Sequence, residues 1–581
     1  MTPTRSQGRR LSIAVLVVFA IVGLFIVRLV DLQVVQAEEL NDASRDKRGV
    51  HLTIPAVRGA ITDRDGVVLA ESVARFDLTA SPRVVTKLTQ AKNNPLDLPE
   101  KLQQVAAITG DDPAALERLL TANPESDYVS LSRGLSLDQL NAIWDLNFSW
   151  LVPQSRQTRA YPNGAVAGNL VGFVGTDGPQ NGLEATEDAC LASTDGVSTY
   201  ERGLDGVRLP GSTVVTTEAI DGGTLKLTID RDLQWFVAQT LAEQALAIGA
   251  ESATASVVRV ADGHLMAMAD WPAVDPNNVN GSSVDHLGAL SFTGLYEQGS
   301  TFKPFSAAML VDQGVANAQT RLTVPGIYHT PEGGRVVDAI AHADWQLTLA
   351  GVIQRSSNVG ISQLSAKLDN RTRYDYLRKF GFGEATAVGF QGEAQGWLAE
   401  GTKWDAQTKY NISFGQGVTA SAAQMASAYQ ALGNGGLRMP LTLVEGCTRP
   451  DGTIVERDTP APVQVVSAAA ANQVVRMMET VATGGDLKNE IQIPGYRVAA
   501  KTGTGEIAEG GVYTNQRVVS VAGLAPAEKP EYAVIVSFVK PSTIKTSFAA
   551  AGPFRTIMAQ VLKTYRVEPS TTPAPETPTT W

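Results

Sequence analysis

The apolar positions of this 581-residue chain fall into three regimes. Over Leu11 to Val27 they form one uncharged run, "LSIAVLVVFAIVGLFIV", which continues past Arg28 to Val30. About 20 helical residues at roughly 1.5 Å each cross a hydrocarbon layer of about 30 Å. A membrane-spanning helix is therefore expected over 11–30, with Arg28 snorkelling. Arg5, Arg9 and Arg10 precede it, so residues 1–10 are expected in the cytoplasm and the remainder outside. A cleaved leader is the competing reading, but the nearest small-residue site, Val35-Gln36-Ala37, lies too far beyond the run.

Between about 40 and 225 the pattern changes to short alternating stretches and helical repeats. "RGAITDRDGVVLAES" alternates on either side of an Arg-Asp-Gly turn and predicts a hairpin. "LPEKLQQVAAIT" and "PAALERLLTA" read as helices capped by Asp97 and Asp112 with proline at the first helical position, and "LSLDQLNAIWDL" as a third amphipathic helix. From Arg159 to about Gly223 the chain is rich in Gly, Asp and Thr, as in irregular strands and loops. The third regime opens at "GTLKLTIDRDLQWFVAQTLAEQALAIGA", a strand followed by a long helix. "ATASVVRVADGHLMAMADW" then predicts a hairpin turning at Asp262-Gly263. This order predicts an α/β (α+β) domain on a central antiparallel sheet flanked by helices, spanning 226–566. The Pro/Thr-rich tail, 567–581, has no apolar pattern and is expected to be disordered.

Composition narrows the possibilities. Hydrophobic residues make up 44% and charged residues 18%, as in ordinary globular proteins. A net charge of −11 argues against a nucleic-acid partner, since no basic stripe is available to neutralise phosphates. Cys190 and Cys447 are the two cysteines. A location outside the cytoplasm permits a disulfide between them, but the plainer reading is two unrelated thiols. The five histidines do not approach metal-site spacing, so neither metal nor cofactor is expected.

Three short segments could carry chemistry. "YEQGSTFKPF" places Ser300 and Lys303 one helical turn apart. Alone, such a pair is common by chance and reads rather as a helix cap with a solvated lysine. "VIQRSSNVGIS" sets Ser356 two residues before Asn358, and "YRVAAKTGTGEI" is a strand-like run carrying Lys501, Thr502, Gly503 and Thr504. Glycine within such a strand often marks the close approach of another backbone or a ligand. Ser-x-x-Lys, then Ser-x-Asn about 55 residues on, then Lys-Thr-Gly about 140 further, is the ordered signature of penicillin-binding proteins and serine β-lactamases.

The resemblance runs from about residue 20 to 560. "RLVDLQ", "RGAITDRDGVVLA", "RAYPNGAVAGNLVGFVG", "NGLEA", "LTIDRDLQ", "SSNVGISQL", "SFGQGVTAS" and "VAAKTGTGE" occur in the order of class B penicillin-binding proteins. They look most like the division-specific peptidoglycan D,D-transpeptidases (FtsI type). The resemblance implies an anchor over 11–30, a non-catalytic pedestal of the dimerisation type over 40–225, and a transpeptidase domain over 226–566.

It further implies Ser300 as nucleophile toward the stem pentapeptide, Lys303 as its base, Ser356 as proton relay and Asn358 as holder of the donor amide. Lys501, Thr502, Gly503 and Thr504 would bind the terminal carboxylate side, and the N–H groups of Ser300 and Thr504 would form an oxyanion hole. Gln416 of "FGQG" would line a wall. Implied partners are donor and acceptor stem peptides, β-lactams, an FtsW-type glycan polymerase and other divisome membrane proteins. The implied location is the bacterial cell membrane, at the division septum.

Departures from the family pattern are Gln298 in place of proline, expected to loosen the approach to the catalytic helix, "VTAS" in place of Thr-Pro, and Ser193 in place of a glycine. "EDACLASTDG" imitates part of a glycosyltransferase motif without its Phe and His, and is read as coincidence. A β-lactamase would be shorter and would carry a deacylating glutamate. A D,D-carboxypeptidase would fit the three motifs without the N-terminal ones. An elongation-type class B enzyme and a non-catalytic β-lactam sensor or divisome scaffold are the alternatives carried forward.

Overall fold

The structure is a computed structural model describing residues 5–37, 39–40, 49–93, 95–201, 209–510 and 512–581, without the side chains of 5–8. Residues 1–4 of the expected cytoplasmic stretch and 41–48 at the expected start of the pedestal lie outside the described residues. Helix α1 (Arg5–Val30) continues into one wide turn, Asp31–Val35. Its apolar side chains are bare, Phe19 at 72% and Leu24 at 74% exposure. Such a surface is stable only against lipid or another apolar surface. Among the described residues this is the one helix long and apolar enough to cross a membrane.

The rest divides into two compact units. The smaller comprises residues up to Val57, Phe76–Gln157 and Ser193–Gly222; the larger comprises Arg58–Arg75, Thr158–Ala192 and Gly223–Trp581. Two segments that the sequence pattern groups with the pedestal thus fold with the larger unit. In the smaller unit, Gly49–Ile54, Gly196–Glu201 and Val214–Thr217 form an antiparallel sheet. Asp97 caps Leu98–Thr109, Asp112 caps Pro113–Thr121, and Ser136 with Gln139 closes a capping box on Leu137–Asp145. Pro99 sits one residue later than expected, at the second helical position, where its missing N–H is equally harmless. Leu102, Val105, Leu116, Leu120 and Ile143 bury the helical stripes in one cluster.

The larger unit is built on a five-stranded antiparallel sheet. Its strands are β1 (Ser252–Arg259), β2 (Leu265–Trp271), β5 (Ala499–Glu509), β6 (Val512–Ala525) and β7 (Tyr532–Val539), in the order β2-β1-β7-β6-β5; β3 (Arg321–Val324) and β4 (Trp345–Thr348) pair separately. The β1–β2 turn falls at Asp262-Gly263, with Gly263 at φ +76°. The alternation of each strand feeds two cores. On one face Ala253, Ala255 and Val257 meet Leu233 and Val237 of α2 (Arg231–Ile248) and Phe554 and Ile557 of α8 (Phe548–Thr564). On the other, Val258, Ala522 and Ile535 share a core with α6 (Ala422–Gly433) and α7 (Ala468–Gly484).

Why the early segments join this unit is visible in their bonds. Ile61–Thr62 pairs in parallel with Thr224–Leu227. The fully buried Glu184 carboxylate takes Nε of both Arg58 (2.8 Å) and Arg159 (2.6 Å). Such a buried anion is tolerable only when fully paired. The glycosyltransferase-like stretch is structural here: Glu187 pairs with Arg457 at 2.9 Å and Asp188 with Arg58.

Two expectations are corrected. Cys190 and Cys447 are disulfide-bonded, not separate thiols. Thr224–Leu227 aligns Leu225 opposite Cys447, and Gly223 N–H donates to the Cys190 carbonyl at 2.7 Å, which brings the sulfurs together. The tail, expected to be disordered, lies in place along the larger unit. Ser570 N–H donates to Gly495 O (2.9 Å) and Tyr496 OH to Val567 O (2.7 Å), while Thr580 bridges to Leu347. Backbone pairing supplies the contacts that its composition withholds from a core. Reducing the disulfide, or replacing both cysteines by serine, should destabilise the larger unit by about 2–4 kcal/mol, read as a lower calorimetric Tm in both cases, with no further drop when reductant is added to the double-serine variant.

Candidate active site

A glycine starts the first element. Gly299, at φ +56°, has its Cα where an added Cβ would lie 2.8 Å from the Thr504 carbonyl, so this backbone touches strand β5 directly. A tight turn, Gly299–Phe302, then runs into α3 (Lys303–Asp312), with Pro304 in its first turn. Three residues per turn in such a helix eclipse Ser300 and Lys303. The turn is held from behind: Phe302 and Phe305 pack edge-on or tilted among Phe380, Phe382 and Tyr429, and the Tyr429 hydroxyl donates to Thr301 O at 2.8 Å. Gln298 does not loosen this approach. Its buried amide donates to Ala420 O (2.8 Å) and Tyr296 O (3.2 Å), tying the segment to its neighbours. In "VTAS", Ser421 caps α6 through a capping box with Gln424.

The second element is a break between two short helices. Helix α4 (Leu349–Arg355) stops at Ser356, which adopts φ +57°, and α5 (Asn358–Ser365) begins two residues later under a Ser357 cap. A left-handed serine costs of order 1 kcal/mol, and here the bend aims both its carbonyl and its hydroxyl at Lys303. The third element is β5, where Lys501 and Gly503 are buried while Thr504 is exposed, following strand alternation. A Cβ on Gly503 would fall 2.5 Å from Ser520 Oγ and 2.8 Å from Thr301 Cγ2. The glycine therefore marks the close approach of the serine-bearing turn.

These elements converge. Lys303 Nζ lies 2.7 Å from Ser300 Oγ, 2.7 Å from Asn358 Oδ1, 2.5 Å from Ser356 O and 3.2 Å from Ser356 Oγ. Lys501 Nζ approaches the same Ser356 Oγ at 2.9 Å, with Thr502 O at 2.9 Å and Thr502 Oγ1 at 3.4 Å. Both lysines are fully buried. Burial, together with the Lys501 cation, holds the Lys303 amine well below the usual lysine range, against the opposing pull of Asp338. Burial brings Lys501 down to about 7. Two amines that share one hydroxyl disfavour each other's charged form in a dry pocket, which adds to the lowering at Lys303.

Gln416 sits beyond Thr504, its amide donating to Glu506 Oε2 at 3.2 Å. Gly415 flanks the turn, its carbonyl accepting from Gly299 N–H at 3.2 Å while its own N–H donates to Ile412 O. Sequence patterns gave no signal for Asp338. Its carboxylate accepts from Ser357 Oγ (2.7 Å), Asn358 N–H (2.5 Å) and Val359 N–H (3.0 Å), and meets His342 Nε2 at 2.9 Å. It thus caps α5 from a distant loop and fixes where Asn358 points. An isolated aspartate carries no motif; only the fold brings it to the helix.

The chain is similar to known proteins along most of its length. Residues 253–561 match the penicillin binding protein transpeptidase domain, and 53–227 the penicillin-binding protein dimerisation domain. The penicillin-binding protein PbpB of Mycolicibacterium smegmatis is 32% identical, over 98% of this chain and 92% of its own. The peptidoglycan D,D-transpeptidase FtsI of Escherichia coli is 31% identical, over 88% and 84%. The crystal structure of penicillin-binding protein 3 from Mycobacterium tuberculosis complexed with ampicillin superposes with a TM-score of 0.71 at 27% identity, over 91% of this chain and 100% of that one.

Asp338 is the negative charge opposing the depression of Lys303. In Asp338→Asn, an isotope-labelled lysine NMR titration should show the Lys303 amine titrating still lower than in the parent protein; an upward movement would contradict the assigned electrostatics.

Proposed function

The chain belongs to the penicillin-binding transpeptidase family, and on that premise we propose that it is the septal peptidoglycan D,D-transpeptidase, working through a Ser300 acyl-enzyme. The observation that carries the assignment is the buried, neutral Lys303 amine 2.7 Å from Ser300 Oγ. A neutral amine accepts the Ser300 hydroxyl proton, while its two N–H groups are held by Ser356 O and Asn358 Oδ1. Oγ then attacks the carbonyl of the penultimate D-alanine of a stem pentapeptide. The N–H groups of Ser300 and Thr504 stabilise the oxyanion.

Collapse breaks the peptide bond. The departing D-alanine amine takes a proton from Ser356 Oγ, which stands between the two lysines and is resupplied by Lys303. Lys501, Thr502 and Thr504 hold the terminal carboxylate, and the donor peptide adds as a strand along β5. The amine of a second stem peptide attacks the ester, its proton returns through the same relay, and the cross-link forms. A β-lactam follows the first half of this course, its ring amide opening onto Ser300.

Helix α1 anchors the chain with residues 1–10 in the cytoplasm and the chain beyond the helix on the outer side. The smaller unit serves as a non-catalytic pedestal through which an FtsW-type polymerase and other divisome membrane proteins are met. The pedestal motifs and the "RLVDLQ" stretch at the end of the anchor favour division over elongation. The non-catalytic sensor reading finds no support in a site whose nucleophile, base and relay are all within hydrogen-bonding distance.

Fluorescent penicillin should label the full-length protein covalently, and Ser300→Ala should abolish the band. Failure of the folded parent protein to label would overturn the assignment. Lys303→Ala should slow acylation by about 10²–10⁴-fold. Because Lys303 works as a neutral base, the acylation rate should fall as pH drops through its lowered folded-state pKa, and fall again above about 7 as Lys501, which holds the carboxylate, loses its charge. A rate that climbs only near the ordinary lysine pKa would sink the base assignment.

A further inference from the structure

Helix α4 is the arm that carries Ser356, and the support at its opposite end comes from an unexpected source. Strand β4 pairs with β3 along one edge. Its other edge is taken by the tail. Leu347 bridges Thr580 in antiparallel sense, Thr348 N–H donates to Thr579 O at 3.1 Å, and Trp581 N–H reaches Gln346 O at 3.4 Å. Trp581 lies beneath the Arg321 guanidinium, 5.4 Å from its ring centre. Pro578, which lacks an N–H, contributes only its carbonyl.

That carbonyl matters. The Thr348 side chain caps α4, its Oγ1 accepting from Gly351 N–H at 3.1 Å, while the same hydroxyl donates to Pro578 O at 2.6 Å. A hydroxyl whose proton is committed to the tail presents its lone pairs to the helix. Gly351 fits the same arrangement: an added Cβ would lie 1.9 Å from Thr579 O, so the tail backbone rests directly on the first turn of α4. With only seven residues, α4 has little intrinsic stability and depends on its cap and its packing. Beyond it, Ser356 needs its left-handed conformation to present O and Oγ to Lys303.

We propose that residues 578–581 are a strap that positions Ser356: docked as an added strand on β4, they hold the Thr348 cap and so fix the arm ending at the proton relay. This rests on the acyl-enzyme reading above. Thr348 and the tail are positioning residues, since they act through α4.

The test uses the full-length chain in detergent, with stopped-flow acylation by fluorescent penicillin over a concentration series. Deleting residues 577–581 should slow the saturating acylation step by about fivefold, the effect of losing one good helix cap. The concentration for half-saturation and the final labelled fraction should stay unchanged. Gly351→Ala evicts the tail while improving helix propensity; it should slow acylation equally in the intact chain and add nothing in the deleted one. A synthetic TPAPETPTTW peptide added in trans should restore the deleted chain but not its Gly351→Ala form. An unchanged acylation step on deletion, a slowing matched by a lower labelled fraction, or a faster Gly351→Ala variant would each overturn the strap. A parent protein that does not label would instead overturn the acyl-enzyme reading itself.

Discussion

Two lysine side chains without exposed surface meet at one serine hydroxyl, and the rest of the larger unit is arranged around keeping them there. An isolated ammonium in such a place is strongly disfavoured. The site resolves this by surrounding the Lys303 amine with four oxygen atoms from three residues and leaving Lys501 near its own titration point. Reactivity is thus a by-product of burial. The dryness that would make a lysine intolerable elsewhere draws the Lys303 amine toward its uncharged form.

Holding that geometry takes rigid supports of unlike kinds. The serine-bearing turn is wedged between aromatic rings behind and the β5 backbone in front, with glycines at 299, 415 and 503 where a methyl would collide. The Ser356 corner is held at both ends, by Asp338 on the N-terminus of α5 and by Thr348 at the start of α4. Neither support touches a reacting atom. Both act by deciding where a short helix begins, and a short helix has too few internal bonds to decide this alone.

The spacing of Ser300, Lys303, Ser356, Asn358 and Lys501 was readable in the chain because each motif is local and its chemistry is written in residue type. Periodicity likewise marked α1, the capped helices and the β1–β2 hairpin, since burial of one face leaves its period in the letters. Asp338 left no such mark, because its role depends on a loop folding back over twenty residues to a helix it does not belong to. The disulfide was open for the same reason: two cysteines 257 apart meet only through the pairing of Thr224–Leu227 with Val444–Thr448. The tail was misread because its composition predicts only the absence of a core. Main-chain strand addition asks nothing of side-chain polarity.

The interleaving of the two units has a consequence for biogenesis. Synthesis proceeds from the N-terminus, so Arg58–Arg75 and Thr158–Ala192 are made long before most of the residues they fold against, Gly223–Trp581. Cys190 waits for Cys447, and Arg58 and Arg159 can satisfy Glu184 at once but find their sheet only later. The smaller unit is complete by Gly222 and can fold first, but the larger unit cannot fold from its early segments alone. The larger unit must mature after release, around early segments kept open until the last strands arrive. A translation stop anywhere before β7 would leave an anchored chain with half-made sheets and an unpaired thiol or strand edge, a product marked by its own exposed surfaces for proteolysis rather than for assembly.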